Sequence, residues 1–276
     1  MCNLLMLSNR RLFKNTLFWV AMAITLALSL YISLTNAPEM AEWAKAGDDV
    51  GLEDCFFNLL PILGLVYAAF LSLFLGVEQS DGGLRNKLIA GHSRTSVFLS
   101  LFFVSVLACF LITVAWLIGS LPGLCYFDLG FGWKTFGMLV LLSVASTVVF
   151  AAIYTTVSLL IPNKAASAVV CLVVWFVLLF TGSTLDGILS APMMTCDYEW
   201  VNGAYVPGPE YPNPNYITGT KRIVLDAISR INPSCSAIRI SNREYTTAVS
   251  DILYSFGTAI AIVFGGCIAF NRKDLK

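Results

Sequence analysis

The chain has 276 residues and a formal net charge of zero; 57% of its residues are hydrophobic and only 12% are charged. The mean hydropathy is +0.77, and a soluble domain of this size cannot bury so much apolar surface in one core. These values exclude a soluble enzyme and a disordered regulator, and the neutral balance excludes the basic footprint of a nucleic-acid-binding module. The apolar runs suit helices rather than barrel strands, so we expect an all-α integral membrane protein.

Six apolar tracts approach the length of about 20 residues that a helix needs to cross a bilayer. They are Leu17–Thr35, Phe56–Val77, Val97–Leu121, Phe136–Ile161, Ala165–Leu189 and Ile252–Phe270. They predict one six-helix transmembrane domain over residues 1–276. Residues 1–16 predict either an amphipathic helix at the membrane surface or a basic flank of the first span. The first tract is longer than the core of a signal peptide, so we expect an uncleaved anchor.

Lysine and arginine concentrate in alternate short loops, which indicates the orientation. The basic residues on one side are Arg10, Arg11, Lys14, Arg85, Lys87, Arg94, Lys164, Arg272, Lys273 and Lys276. The opposite short loops carry only Lys45 and Lys134. We therefore predict that both termini are cytoplasmic and that residues 190–250 form a long outer segment.

The outer segment divides into two parts by composition. Residues 192–220 are rich in Pro, Tyr, Asn and Gly and predict irregular chain. In residues 221–231 the apolar side chains Val224, Ala227, Ile228 and Ile231 follow a helical period. We expect a short amphipathic helix here, which ends at Asn232-Pro233 and lies at the outer membrane surface or plugs the bundle.

Two of the eight cysteines, Cys196 and Cys235, share the outer segment. In an oxidising exterior they can form a disulfide, and free thiols are the alternative. No cysteine or histidine spacing predicts a metal site.

The search for catalytic motifs is negative. The chain has no G-x-x-x-x-G-K-[ST], so it does not bind ATP through a P-loop of its own, and it has neither H-E-x-x-H nor G-x-S-x-G. We therefore do not expect an enzyme. Glu78, Asp186 and Asp251 are expected near the membrane interfaces, and the lack of a predicted midplane carboxylate argues against a proton relay.

The loop between the second and third tracts, residues 78–96, carries its own helical pattern. Ser80 or Asp81 is expected to cap a helix over Leu84–Ala90, and Gly91 to end it in a left-handed conformation. The expected apolar stripe is Leu84, Leu88 and Ile89, beside the basic residues Arg85 and Lys87. The pattern predicts a short amphipathic helix mounted between two spans, with a plain solvated connector as the alternative.

This loop resembles the cytoplasmic motif of permeases of ABC-2-type transporters, E-x-x-x-G-T-[IL]-R-N-K-[LI]-x-x-G-x-[ST]-R. The residues that carry the resemblance are Glu78, Asp81, Gly82, Gly83, Leu84, Arg85, Asn86, Lys87, Leu88, Ile89, Gly91, His92, Ser93 and Arg94. Gly83 stands where the family has Thr. Residues 270–276 also resemble the family's ending, an aromatic residue followed by x-[RK]-[RK]-D-[LI]-[KR].

The resemblance implies a six-span bundle that forms the membrane half of an exporter in the bacterial plasma membrane. Two permease copies, or one copy and a paralogue, would pair with separate ATPase subunits that bind ATP, so this chain would need no cofactor. The loop residues from Glu78 to Arg94 would form the coupling helix that docks on the ATPase. Residues 1–16 would be a connecting helix, and the outer segment would hold short re-entrant helices.

The transported molecule stays open: an antimicrobial peptide, a lipid-like molecule and a drug all fit the resemblance. Two other functions are also considered. An ion-coupled secondary transporter would be favoured by inverted repeats with broken helices, which the sequence does not show. A membrane sensor or scaffold would bind a partner without any nucleotide-dependent movement.

Overall fold

The computed structural model describes residues 2–48, 50–57, 60–127, 132–201, 204–242 and 247–273. The fold is 83% helical. Within the described residues, six helices are long and apolar enough to cross a membrane. The chain is therefore a multi-pass, all-α membrane protein, as its composition predicts.

Most of the helices follow one another with short connections, and the exception is the segment with four strands between α8 and α9. They are α1 (Cys2–Lys14), α2 (Thr16–Ala46), α3 (Leu52–Phe57), α4 (Leu60–Ser80), α5 (Gly83–Ile89), α6 (Arg94–Ser120), a 3-10 helix (Leu121–Cys125), α7 (Gly132–Leu160), α8 (Lys164–Leu189), α9 (Thr220–Ile231), α10 (Pro233–Ser241) and α11 (Ala248–Arg272). The long helices α2, α4, α6, α7, α8 and α11 correspond to the six predicted tracts. We call the end of the bundle with α1, α5 and the last residues of α11 the basic end, and the end with α3, α9 and α10 the opposite end.

The first span is longer than its apolar tract. We expected it to stop at Thr35, before Pro38, but α2 continues to Ala46 and ends at Gly47, whose φ of 102° is left-handed. The reason is tertiary: Ser33, Ala37 and other small residues repeat every four positions and pack on α6 and the 3-10 helix. This packing offsets the hydrogen bond that a proline removes from a helix.

The outer segment is more ordered than its composition predicts. Strands β1 (Met194–Thr195) and β4 (Tyr211–Pro212) pair antiparallel, as do β2 (Tyr198–Val201) and β3 (Ala204–Pro207). The prediction of irregular chain over 192–220 was therefore wrong in part. Aromatic and β-branched residues favour strands, and the dipeptide Asn202-Gly203 in the sequence favours a hairpin between β2 and β3.

Helix α9 confirms the predicted amphipathic helix, and α10 is a helix that the sequence pattern did not predict. Asn232 separates the two, and its Oδ1 accepts a hydrogen bond from the Ser234 backbone N–H (3.0 Å) at the start of α10. Its Nδ2 donates to the Leu178 carbonyl of α8 (2.9 Å). Nearly all of α10 is buried against α8, α7 and α4.

Three of the polar residues within the spans form hydrogen bonds with one another. Tyr67 of α4 lies 2.7 Å from Thr113 Oγ1 of α6 and 3.3 Å from Thr147 Oγ1 of α7. Thr113 and Thr147 also donate to carbonyls one turn earlier in their own helices. The hydroxyl cluster therefore joins three spans by interhelical hydrogen bonds.

Candidate functional site

Helix α5 is held between two left-handed glycines. Gly82 (φ 70°) precedes it without a side-chain cap, so the expected capping role of Ser80 or Asp81 was wrong. Gly91 (φ 86°) follows it, as predicted. Glycine adopts positive φ without the steric cost that a Cβ brings, so the two glycines let the chain turn sharply from α4 into α5 and from α5 into α6. Helix α5 is thus a rigid bridge between the second and third spans.

The inner face of α5 is fixed by a buried ion-pair cluster. Glu78, near the end of α4, is only 2% exposed, and its Oε1 lies 2.6 Å from Lys87 Nζ. Its other oxygen pairs with Arg11 of α1, and Lys87 also donates to Ser8 Oγ of α1 (3.3 Å). We call Ser8, Arg11, Glu78 and Lys87 the clamp. It joins α1, α4 and α5 at the basic end.

The clamp corrects the expected roles of two motif residues. Glu78 and Lys87 were expected to face an ATPase partner, but both are buried inside this chain. Burial lowers the pKa of Lys87 to about 8, and the neighbouring Arg11 guanidinium is the second cause. The carboxylate of Glu78 opposes this shift because it favours the charged ammonium. Leu84 is also buried, and it completes the inner face.

Gly83 packs directly against the clamp. A Cβ at this position would lie 2.9 Å from Glu78 Oε1 and 3.1 Å from the Glu78 carbonyl oxygen. The first distance is shorter than real Cβ atoms essentially ever show, and the second is tighter than nine in ten real Cβ contacts. A Thr side chain, which the resembling family has here, would therefore require Glu78 to move.

The outer face of α5 is exposed. Asp81, Arg85 and Asn86 are exposed, and Ile89 is 82% exposed. The predicted apolar stripe was wrong in this respect: Leu84 is buried and Leu88 half-buried, but Ile89 lies on the other side. Residues 85 and 89 are one turn apart, so Arg85 and Ile89 share one face of the helix. We call Arg85, Asn86 and Ile89 the tip surface.

The last motif residue, Arg94, ties the third span to the end of α11. Its Nη1 donates to the Asn271 carbonyl (2.9 Å) and also to the Lys273 carbonyl. Lys273 Nζ in turn donates to the Leu159 carbonyl of α7 (2.8 Å) and to Gln79 Oε1 of α4 (3.2 Å). Arg94 therefore belongs to an internal lock that connects the ends of α4, α6, α7 and α11.

Sequence reasoning did not identify Ser8, Arg11, Gln79 or Lys273 as partners of the motif. Arg11 and Lys273 were assigned only to the positive-inside bias, since nothing local in the sequence pairs them with residues about 70 to 190 positions away. A cavity of about 370 Å³ between α1 and α5 borders this site. Its lining includes Leu7, Ser8, Asn86 and His92.

At the opposite end, two further carboxylates are buried within the protein. Asp186 is 4% exposed and Asp251 is 1% exposed, although each lies near the end of its helix, where the sequence led us to expect it. Asp251 Oδ1 accepts from Arg230 Nη1 (3.0 Å), and Asp186 Oδ2 accepts from Asn242 Nδ2 (2.8 Å). Buried carboxylates need such partners because desolvation of an unpaired charge is costly.

Arg239 of α10 lies at the centre of these acids. It is 3.8 Å from Asp186, 3.8 Å from Asp251 and 3.5 Å from Asp226. Its Nη2 donates to Ser229 Oγ (2.6 Å). The arrangement joins α8, α9, α10 and α11 through charges, in addition to the packing of α10 in the core.

A polar cavity of about 550 Å³ borders this charge network. Arg222, Asp226, Arg239 and Thr247 contribute to its lining, and Arg222 Nη2 donates to the Leu189 carbonyl (2.8 Å). Helix α9 turns Arg222 and Asp226 toward this region and leaves the apolar residues Val224, Ile228 and Ile231 exposed. In a membrane protein, an outward apolar face suits contact with lipid.

Of the two alternatives for Cys196 and Cys235, the structure has the second, in which both are free thiols. Cys235 is fully buried in α10, and this burial raises its pKa to about 11. A protonated thiol is a poor nucleophile for disulfide exchange. Among the described residues, no group of three or more His, Cys, Asp or Glu side chains is placed to hold a metal ion.

No protein-family model matches the chain, and no curated protein matches it at a significant level. What is established is a multi-pass helical membrane protein. Its basic end presents an exposed surface on a clamped helix, and its opposite end holds a buried charge network. The motif between the second and third spans is the feature from which a function can be argued.

Proposed function

We propose that the chain is the membrane-spanning permease subunit of an ATP-driven exporter of the ABC-2 type. The observation that supports this most is the tip surface, which is exposed on a helix whose other face is clamped to two neighbouring helices. A mobile connector would move alone when a partner displaces it. A helix clamped to its neighbours transmits the displacement to them. The resemblance of residues 78–94 to the family's motif supports the same function.

The clamp gives the proposal a mechanical route. A displacement of α5 acts on Glu78 through Lys87, because these two groups are 2.6 Å apart. Glu78 belongs to α4, and Arg11, its second partner, belongs to α1. Movement at the tip surface would therefore reach the second span and the N-terminal helix together.

The partners follow from the proposal. A separate ATPase subunit binds ATP and docks on the tip surface, since this chain has no P-loop. A second copy or a paralogue completes the membrane half, in a bacterial plasma membrane with both termini cytoplasmic. The exported molecule is an antimicrobial peptide, a lipid-like molecule or a drug.

The test is co-purification with candidate ATPase subunits encoded near this protein, followed by an ATPase assay in lipid. We expect a stable complex. Arg85→Glu and Ile89→Asp are expected to weaken it tenfold or more, since interface energy concentrates in a few central residues. Both side chains are exposed, so these changes spare the clamp.

The matched control is Arg10→Glu, an exposed cation of α1 outside the tip surface. We expect it to leave the affinity for the ATPase within twofold. If no candidate ATPase forms a complex, or if the tip variants bind as tightly as the control, the proposal is wrong.

One observation favours a second candidate, an ion-coupled transporter. Asp186 and Asp251 are buried charges within spanning helices, and such residues mark ion or proton paths in many transporters. Both, however, lie within 4 Å of an arginine, and each belongs to the polar network that joins α8, α9, α10 and α11, which is a structural role. Uptake into proteoliposomes driven by a proton gradient without nucleotide, and lost in Asp186→Asn, would select this function.

A further inference from the structure

A long apolar groove runs along the outside of the bundle between α6, α7 and α11. It has a volume of about 620 Å³. Its side chains are mainly aromatic and aliphatic, among them Leu99, Phe102, Phe103, Ile260, Phe264 and Ile268. No acidic side chain is among its described lining residues. An apolar groove of this kind on a membrane protein faces the bilayer.

The length of the groove fits one acyl chain. Its lining on α11 extends from Phe256 to Asn271, which is about 22 Å at a helical rise of about 1.5 Å per residue. One leaflet contributes about 15 Å to a hydrocarbon core of about 30 Å. The groove therefore accommodates the full depth of one leaflet, starting from the basic end.

The groove becomes polar at the basic end, and two arginines lie beside it in the chain. Thr95 and Asn271 line it there, and Asn271 Nδ2 donates to Thr95 Oγ1 (3.1 Å). Arg94 and Arg272 are the chain neighbours of these two residues. Arg272 is exposed and forms no ion pair among the described residues. Basic pockets between transmembrane helices attract anionic headgroups.

We propose that this groove binds one anionic phospholipid, with an acyl chain along α11 and its phosphate beside Arg272. The apolar lining supplies contact for the chain, and Arg94 adds positive charge at the headgroup. A zwitterionic lipid makes the same contacts with its acyl chain. The positive group of its headgroup, however, is repelled by the arginines. The site is independent of the proposed transport function.

The test uses the full chain in nanodiscs that contain equal amounts of phosphatidylglycerol and phosphatidylcholine. Native mass spectrometry then counts the lipid molecules that stay bound after the protein is released from the nanodisc. We expect phosphatidylglycerol to be retained at least threefold over phosphatidylcholine. Arg272→Gln is expected to abolish this preference, and Cys267→Trp, which fills the groove, to reduce retention of both lipids.

Lys164→Gln is the matched control, because it removes a cation at the start of α8 on the same end of the bundle. It is expected to keep the wild-type preference. Arg272 is exposed, so its variant tests the site without disturbing the core. Equal retention of the two lipids by the wild type, or a preference that survives Arg272→Gln, overturns the proposal.

A second copy of the chain is the competing occupant of the groove. Ile260→Cys reports on it, since this lining side chain is 69% exposed. If the proposal holds, oxidation in the bilayer gives no more crosslinked dimer than the wild type, which carries the same native cysteines. A strong new inter-chain disulfide at residue 260 would show that protein, not lipid, covers the groove.

Discussion

Glu78 is the residue on which the geometry of the basic end depends. One carboxylate serves two cations, Lys87 at 2.6 Å and Arg11 on its other oxygen. Both pairs cross between helices, so the carboxylate joins α1 and α5 to α4. In a buried position the attraction within an ion pair roughly offsets the free energy lost when its charged groups leave water. Removing Glu78 would leave the charges of Arg11 and Lys87 uncompensated.

Glu78→Gln is therefore expected to destabilise the fold by about 3 kcal/mol. The amide keeps the size of the side chain but leaves Arg11 and Lys87 facing each other without a counter-charge. The free energy of unfolding, measured by denaturant titration in micelles, checks this. Glu39→Gln, an exposed carboxylate of α2, should change the free energy by less than about 0.5 kcal/mol.

A double variant distinguishes charge from packing at the clamp. Lys87→Met added to Glu78→Gln removes the uncompensated buried cation and should recover part of the lost stability. Because the two residues are in direct contact, the changes in unfolding free energy of the two single variants are expected not to add up in the double variant. Purely additive losses would contradict the role given to Glu78.

At the scale of the element, α2 and α6 approach through small residues. Gly119 of α6 packs against α2, where an added Cβ would overlap Ser29 Oγ and lie 2.8 Å from the Leu26 carbonyl oxygen. Within membranes, helices gain association energy from such close contact, because lipid supplies no hydrophobic drive. The pair is the anchor of the first span, most of whose other surface is exposed.

Gly119→Ala is expected to cost about 3 kcal/mol, because a backbone oxygen and a buried hydroxyl must move. Gly137→Ala is the matched control: this glycine lies within α7 and has nothing within 4 Å of an added Cβ. There the change should stabilise by up to about 1 kcal/mol through helix propensity. Equal thermal stability of the two variants would contradict the close crossing.

At the scale of the whole molecule, the two ends of the bundle differ in how they use charge. The clamp and the Arg94 lock connect six helices at the basic end. At the opposite end, Arg239 and its three aspartates connect α8, α9, α10 and α11. Among the described residues, most buried polar side chains between the two ends are serine, threonine and tyrosine. Polar networks thus hold the helices together at both ends of the bundle, and side-chain packing holds the spans together between them.

The excess of lysine and arginine predicts that the basic end is cytoplasmic. Green fluorescent protein fused after Lys276 should fluoresce, since it folds on the cytoplasmic side. Alkaline phosphatase joined after Gly208 should be active, since it needs the oxidising exterior. The controls exchange the two reporters. Green fluorescent protein after Gly208 should not fluoresce, and alkaline phosphatase after Lys276 should be inactive. The opposite outcome for both pairs would reverse the orientation.

The sequence by itself determined the class of the protein, the six spans and the site of α5. These follow from local quantities, namely the apolar length of the tracts and the position of Gly91. The helical period of residues 221–231 predicted α9 in the same way.

Only the tertiary structure decided which face of each short helix is turned inward. Arg85 and Lys87 are equivalent in the sequence, but Lys87 is buried because Glu78 and α1 lie on its side of α5. In the same way, α2 continues past Pro38 because α6 packs on it, and Asp186 and Asp251 are buried because Arg239 and Arg230 reach them. Each of these outcomes depends on contacts between residues distant in the chain, which local periodicity does not contain.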